Sequence, residues 1–288
     1  MTDLTRLPMK PLSPIETAHL FPVLHQKLID LLKSLSPDDW HRETICAGWS
    51  VKDVASHVLD TSLRTITLYR DGYSSPEKPD IRSYRDLVDF LNKLNNDWVR
   101  ATRRLSPAVL VDWMEQAGSD ADEQLMALSP SEPAVFSVAW AGQDVSPNWF
   151  HVAREYTERW HHQQQIRLAV GKTEDILSDT LYQPVLDTFM RALPYAYRNT
   201  SAADGTLLHV KVNDLVAGDW FLHRQNNQWD LVENNEQKQP DTIVRIDRTY
   251  AWQLFTRNVP SEVAASHIKV EGSKLLGLSV LLMRSVMI

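Results

Sequence analysis

The residues of this chain with the most chemistry to offer sit close together in the segment HVAREYTERWHHQQQ. On a helix advancing 100° per residue, His151, Glu155, Glu158 and His162 fall within about 60° of one another. One stripe would then carry two imidazoles and two carboxylates, while Val152, Ala153, Tyr156 and Trp160 take the opposite side. A solvated polar face backed by an apolar core face has the same pattern. Glu158 and His162, however, are four residues apart, the spacing at which two helix side chains can reach one ion. A third ligand has to come from another element, and His57 is the candidate. Asp53, His57, Asp60 and Arg64 share a stripe from which Val54, Ala55 and Val58 point away. A histidine in such apolar company is also commonly a hydrogen-bonded core residue. Two imidazoles and one carboxylate would leave an open position on zinc, the arrangement of a catalytic rather than a structural site. Nickel, iron or manganese would accept the same donors.

The elements that must position these residues can be read from period and punctuation. Leucines at 20, 24, 28, 31, 32 and 35 give a helical repeat from about 15 to 35, ended by SPDDW. A second helix is predicted after Gly48, with Ser50 as its cap and Asp53 adding first-turn negative charge, running to about Arg70. Ser83 is positioned to cap a third helix to about Arg104, and a short helix led by Pro107 follows. From Asp120 to Pro147 the pattern is poor. Ser146 and Pro147 then open the long helix that carries the chemistry, and Gly171 closes it. One more helix is predicted over about 178–197. Beyond it LLHVKV, DWFLHR, QWDLVE and DTIVRID read as short strands of a small antiparallel sheet, with helical segments near 250–256 and 274–287. The fold class is therefore α+β: a helical domain over residues 15–198, whose short loops imply antiparallel packing, followed by an α+β domain over 205–288.

Composition bounds the function. The chain has 288 residues, a formal charge of -7 and a single cysteine. No block of Lys and Arg interleaves with aromatics, so nucleic acid is not an expected partner. One cysteine excludes an intramolecular disulfide and a multi-thiolate metal site. Cys46 lies just upstream of a helix start, but no base can be assigned to activate it, and packing is the expected role. No segment has the apolar core of a signal peptide or the length of a membrane span, so a cytoplasmic protein is expected.

Two segments carry a resemblance to a known family. LLKSLSPDDWHRETICAGWSVKDVASHVLD resembles the opening of the mycothiol-dependent maleylpyruvate isomerase family, a branch of the DinB-like four-helix bundles; the Trp, Thr, Gly-Trp-Ser-Val-x-Asp and His landmarks appear in order. REYTERWHHQQQIRLAVG resembles that family's other metal-binding helix, with a Glu four residues before a His and a closing Gly. The resemblance selects Glu158 and His162 over Glu155 and His161 and implies that His57, Glu158 and His162 hold a divalent metal. Gln165 stands where isomerase relatives commonly place an Asp. TYAWQLFTR and IKVEGSKLLGLSVLLMRSVM resemble a sterol-carrier-like domain, and the resemblance suggests Arg257 as a catalytic group suited to a carboxylate.

The expected function is that of a metal-dependent enzyme, most simply a zinc enzyme, that activates a low-molecular-weight thiol for isomerisation or thiol transfer on a small electrophile bearing a carboxylate. Isomerase and S-transferase remain open. Two alternatives keep parts of the evidence: a non-enzymatic protein binding an apolar ligand in its sterol-carrier-like domain, and a hydrolase whose metal activates water. The small molecule and the thiol are the expected partners, and the sequence carries no signal of oligomeric state. His151, Glu155 and Asp53 are expected to orient the ligands, and His161 to stand beside them or at the surface.

Overall fold

The computed structural model describes residues 12–74, 79–233, 238–256 and 260–285. Six helices come first: α1 (Phe21–Lys33), α2 (Val51–Tyr69), α3 (Tyr84–Thr102), α4 (Pro107–Met126), α5 (Asn148–Val170) and α6 (Asp179–Met190). The local signals behind most of them are direct. Ser50 Oγ accepts from the Asp53 N–H at 3.3 Å while Asp53 Oδ2 accepts from the Ser50 N–H at 3.1 Å, a reciprocal box that satisfies two donors at the start of α2. Ser83 and Ser106 do half of this at α3 and α4, each accepting from the backbone three residues on. At α5 the expected assignment shifts by one: Pro147 is the capping residue, and Ser146 Oγ instead accepts from the Val138 N–H at 2.9 Å. Gly171, at φ 72°, ends α5 in the left-handed region.

The helix expected to be short after Pro107 runs for 20 residues. It passes through Gly118, where a Cβ would lie 2.1 Å from Cε1 of His25. The glycine there is a packing requirement rather than a breaker. Leu28, Ile29, Leu32, Val54, Ala55, Leu59, Leu110, Met114, Ala121 and Ile166 form one core contributed by α1, α2, α4 and α5. Each of the Leu, Ile, Val and Met side chains contributes about 1.5–3 kcal/mol by leaving water, and the two alanines less. α3 lies on α2, where Trp98 Nε1 donates to the Ser56 carbonyl at 2.8 Å.

The remaining elements are α7 (Leu193–Tyr197), β1 (Leu207–Val212), β2 (Asp219–Gln225), β3 (Gln228–Val232), β4 (Thr242–Ile246), α8 (Arg248–Phe255), α9 (Ser261–Ser266), β5 (Ile268–Gly272) and α10 (Lys274–Leu278). The sheet has the order β3-β2-β1-β4-β5. It is mixed, not antiparallel as expected: β4 joins the free edge of β1 in parallel register, Val210 facing Val244, and β5 adds antiparallel to β4. Parallel pairing depends on where a connection returns the chain, which local period does not encode.

By its contacts the chain divides into two compact units, Glu16–Val135 with Pro147–Leu181, and Phe136–Ser146 with Tyr182–Val286. The expected break, between 198 and 205, follows the change from helix to strand, whereas the division of contacts falls inside α6. The reason lies in two buried tyrosines. The Tyr182 hydroxyl donates to the Arg248 carbonyl and accepts from the Trp252 N–H, both at 3.0 Å, and the Tyr197 hydroxyl donates to the Leu276 carbonyl at 2.9 Å, so these helix residues belong with the sheet. Among the described residues no helix is long and apolar enough to cross a membrane.

Candidate metal centre

Within the helical unit α2 and α5 pack on one another and bring the two polar stripes together. The ring of His57 meets that of His162 edge-on, with centroids 4.7 Å apart, and Trp49 covers the other approach to His57 at 5.2 Å. Glu158 Oε2 lies 3.6 Å from His162 Nε2. Glu158, His161 and His162 can each offer one ligand atom within 4.8 Å of the other two, the grouping of this kind found among the described residues. His57 is not part of that grouping; its ring meets that of His162.

Contrary to the picture of a solvated polar face, α5 is buried around most of its circumference: His151, His161, Gln163, Gln164 and Gln165 are as inaccessible as Ala153 and Trp160. That burial sets the protonation states. Desolvation holds His57 well below the ordinary histidine range, and the neighbouring His162, Arg64 and His161 push the same way. His161 is lowered well below that range, and His162 is lowered, again chiefly by burial. Burial raises Glu158 to about 7 against the pull of Arg154, with Glu155 adding to the rise and Arg64 opposing it. The cluster therefore presents neutral imidazoles and lone pairs, the state in which histidine binds a metal. His57 Nδ1 is buried with no hydrogen-bond partner among the described residues, a cost that an additional ligand at this point would remove.

Gln165 decides between the two adjacent histidines. Its Oε1 accepts from His162 Nδ1 at 2.9 Å, which leaves the His162 Nε2 lone pair directed to the side of Glu158. Its Nε2 donates to His161 Nε2 at 3.0 Å, so that this lone pair is already engaged and the proton of neutral His161 sits on Nδ1. His161 is thus buried rather than at the surface, and the amide of Gln165 ties it to His162. The signal was present in the sequence as a Gln three and four residues after a His-His pair.

The other expected participants have definite partners. His151 Nδ1 accepts from Arg154 Nη2 at 3.0 Å and its Nε2 donates to the Tyr69 hydroxyl at 2.7 Å. Burial lowers His151 to about 4. Glu155 accepts from the same Arg154 at 2.5 Å; burial works to raise its carboxyl, and Arg154, His151, Arg159 and Arg64 together lower it. Asp53 completes the capping box of α2 with Ser50 and holds Arg103 through both oxygens at 3.0 Å. Cys46 is partly buried and its thiol is pushed up by desolvation, which suits packing rather than nucleophilic attack. Arg257 lies outside the described residues.

Comparison with known proteins adds a family. A family model described as "Mycothiol maleylpyruvate isomerase N-terminal domain" matches residues 21–167. Two crystal structures of the mycothiol-dependent maleylpyruvate isomerase, one of them of a point mutant, resemble this chain in fold. They match with TM-scores of 0.55 and 0.54 at 13% identity, covering 91% of this chain and 96% of theirs. A solution structure of the sterol carrier protein domain 2 of Helicoverpa armigera matches 33% of this chain and 79% of its own at 19% identity, with a TM-score of 0.25. A search of curated proteins finds no match.

Proposed function

This chain belongs to the mycothiol maleylpyruvate isomerase family, and we propose that it is an enzyme that uses a divalent metal, most simply zinc, and a low-molecular-weight thiol to isomerise a small unsaturated carboxylate. The observation that carries the reading is the meeting of His57 on α2 with His162 on α5, ring centroids 4.7 Å apart, with Glu158 3.6 Å from His162 and both imidazoles held neutral by desolvation. These three residues would hold the ion, His162 through Nε2. A thiol ligated there would be kept as thiolate near neutral pH.

The residues of the chain prepare that chemistry in separable ways. Gln165 fixes the tautomer of His162. Arg154 neutralises Glu155 and leaves Glu158 as the carboxylate nearest His162. Arg64, salt-bridged to Asp60 at 3.2 Å, adds a guanidinium near the cluster that suits a carboxylate substrate. A thiol bound there would supply a sulfur nucleophile for reversible addition to a double bond conjugated to a carbonyl, which would free that bond to rotate before the thiolate leaves again. Arg64 would stabilise negative charge developing on the substrate's carbonyl oxygen, and Arg257 is the further group proposed for this role.

The test combines composition with turnover. Protein purified without added metal is expected to contain close to one equivalent of divalent ion and to convert maleylpyruvate only when a thiol such as mycothiol is supplied. Substituting Arg257 by Ala should weaken substrate use while leaving metal content unchanged. Conversion that proceeds equally without thiol, or hydrolysis in place of isomerisation, would overturn the assignment in favour of water activation.

A further inference from the structure

Between residues 150 and 167 of α5 every residue is buried except Glu155, Glu158 and His162. These three share one stripe of the helix, so α5 opens to solvent only along a narrow line. Their side chains are 18%, 22% and 13% exposed, enough for each to be reached from outside. The facing wall belongs to α2, whose Arg64 is exposed and acts electrostatically on His57, Glu155 and Glu158 alike. The result is a polar slit within the helical unit, with His57 and His162 at one end.

The other end is closed by His151, on the same stripe, and by Tyr69 of α2. At about 1.5 Å of rise per residue, the level of His151 lies about 10 Å from Glu158 and about 16 Å from His162. A relay of hydrogen bonds fixes the direction of donation there. Arg154 Nη2 donates to Glu155 and to His151 Nδ1, at 2.5 and 3.0 Å. With Nδ1 an acceptor, the proton of the buried, neutral imidazole sits on Nε2 and is given to the Tyr69 hydroxyl oxygen at 2.7 Å. Tyr69 therefore keeps its own O–H to give, and no acceptor for it stands among the described residues. Tyr69 is partly exposed, and burial, helped by the Glu155 charge and opposed by Arg154, pushes its hydroxyl up to about 12, so at neutral pH it remains a donor.

We propose that Tyr69 binds the body of the thiol: its hydroxyl donates to a neutral oxygen, a hydroxyl or an amide carbonyl, on the part of the molecule farthest from the sulfur. This rests on the proposed function, in which the sulfur is held at the histidine end of the slit. Charge selects a neutral acceptor, because the Glu155 carboxylate that acts on Tyr69 would repel an anion, and a carboxylate substrate has the Arg64 guanidinium instead. Length selects the thiol over the electrophile. An acid of a few carbons held at Glu158 does not reach the level of His151, about 10 Å away, whereas a longer molecule lying along the slit does.

Calorimetric titration of the full-length protein with mycothiol, and with 2-mercaptoethanol as a thiol that has no body to reach Tyr69, tests the assignment. Tyr69→Phe keeps the ring beside His151, where the centroids are 6.0 Å apart, and removes only the hydroxyl. It should weaken mycothiol binding about 3–10-fold, the loss of one hydrogen bond, while 2-mercaptoethanol binds within about twofold of the wild type. Metal content should not change. In turnover the variant should raise KM for mycothiol by the same factor with kcat within about twofold, a split that a general loosening of the fold would not produce. The two readings fail separately, because 2-mercaptoethanol reports the sulfur end alone. Mycothiol binding indifferent to Tyr69→Phe, or both thiols weakened equally, would overturn the role of Tyr69 and leave the thiol site in place. A wild type that binds neither thiol would overturn the proposed function, and this inference with it.

Discussion

In the helical unit the groups around His57 and His162 offer lone pairs from imidazoles held neutral and a carboxylate 3.6 Å from one of them, and His57 Nδ1 has no hydrogen-bond partner among the described residues. In the sheet unit Arg224 offers the reverse: its Nη2 donates to Asn227, while Nε and Nη1 are buried with no acceptor among the described residues. Both arrangements cost stability, and neither is explained by the packing around it. The difference lies in what each arrangement suits. Lone pairs among neutral imidazoles suit a cation, whereas the Arg224 donors are closed off from solvent and stand as a cost to folding. Arg159, in the helical unit, differs from Arg224 in having a carboxylate partner: its Nη1 meets Asp122 Oδ1 at 2.6 Å, although Arg159 Nη2 and Asp122 Oδ2 are buried with no partner among the described residues.

The comparison can be broken or sharpened by substitution. The largest effect is expected from His162→Ala, which should remove bound metal and thiol-dependent turnover to the limit of detection, whereas Arg224→Met should leave turnover within about twofold. Elemental analysis and initial rates on the same preparations check both. Next comes the contrast between an arginine that meets a carboxylate and one that does not among the described residues. Arg159→Met strands the Asp122 carboxylate, which burial already raises to about 6 despite Arg159, and should cost about 3–5 kcal/mol in denaturant unfolding. Arg224→Met should have the opposite sign. If both substitutions destabilise equally, the distinction between a guanidinium with a carboxylate partner and one without fails.

Gln165→Leu should act more gently, removing the bond that orients His162 and weakening metal affinity by about 10–100-fold with the fold retained. Metal competition with a chelator of known affinity measures it. The smallest effect belongs to Asp53, which lies on the His57 stripe. Burial works to raise its carboxyl, but Arg103 and the Ser50 backbone and hydroxyl outweigh this and hold it below the usual range. The bonded carboxylate therefore stabilises the fold fully above the unfolded pKa, and that contribution is lost as pH falls through the lower folded value. Asp53→Ala should cost about 1–2 kcal/mol at neutral pH, and the gap should close on acidification. A gap independent of pH would assign the loss to packing rather than to the charge.

How much of this was legible in the sequence depended on distance along the chain. The start of α2 was readable because Ser50 and Asp53 settle it between themselves. The four residues from Glu158 to His162 were readable because helix geometry brings them together. The parallel pairing of β1 with β4 was not, since β1 pairs equally well in either sense until the connection is made. Nor was the burial of the polar side of α5: periodicity equates polar with solvated, and only tertiary packing shows that His161 and Gln165 lie inside. Arg224 followed the strand alternation of Trp220 and Leu222, yet its missing acceptors become visible only when the neighbours are in place.

The most direct test of the metal centre is an anomalous difference map at the zinc edge from crystals grown with one equivalent of zinc. The account predicts a single peak bonded to His162 Nε2, to a Glu158 oxygen and to an imidazole nitrogen of His57, each at about 2.0–2.2 Å. A peak elsewhere, or one bonded to His161 with His57 left aside, would contradict it.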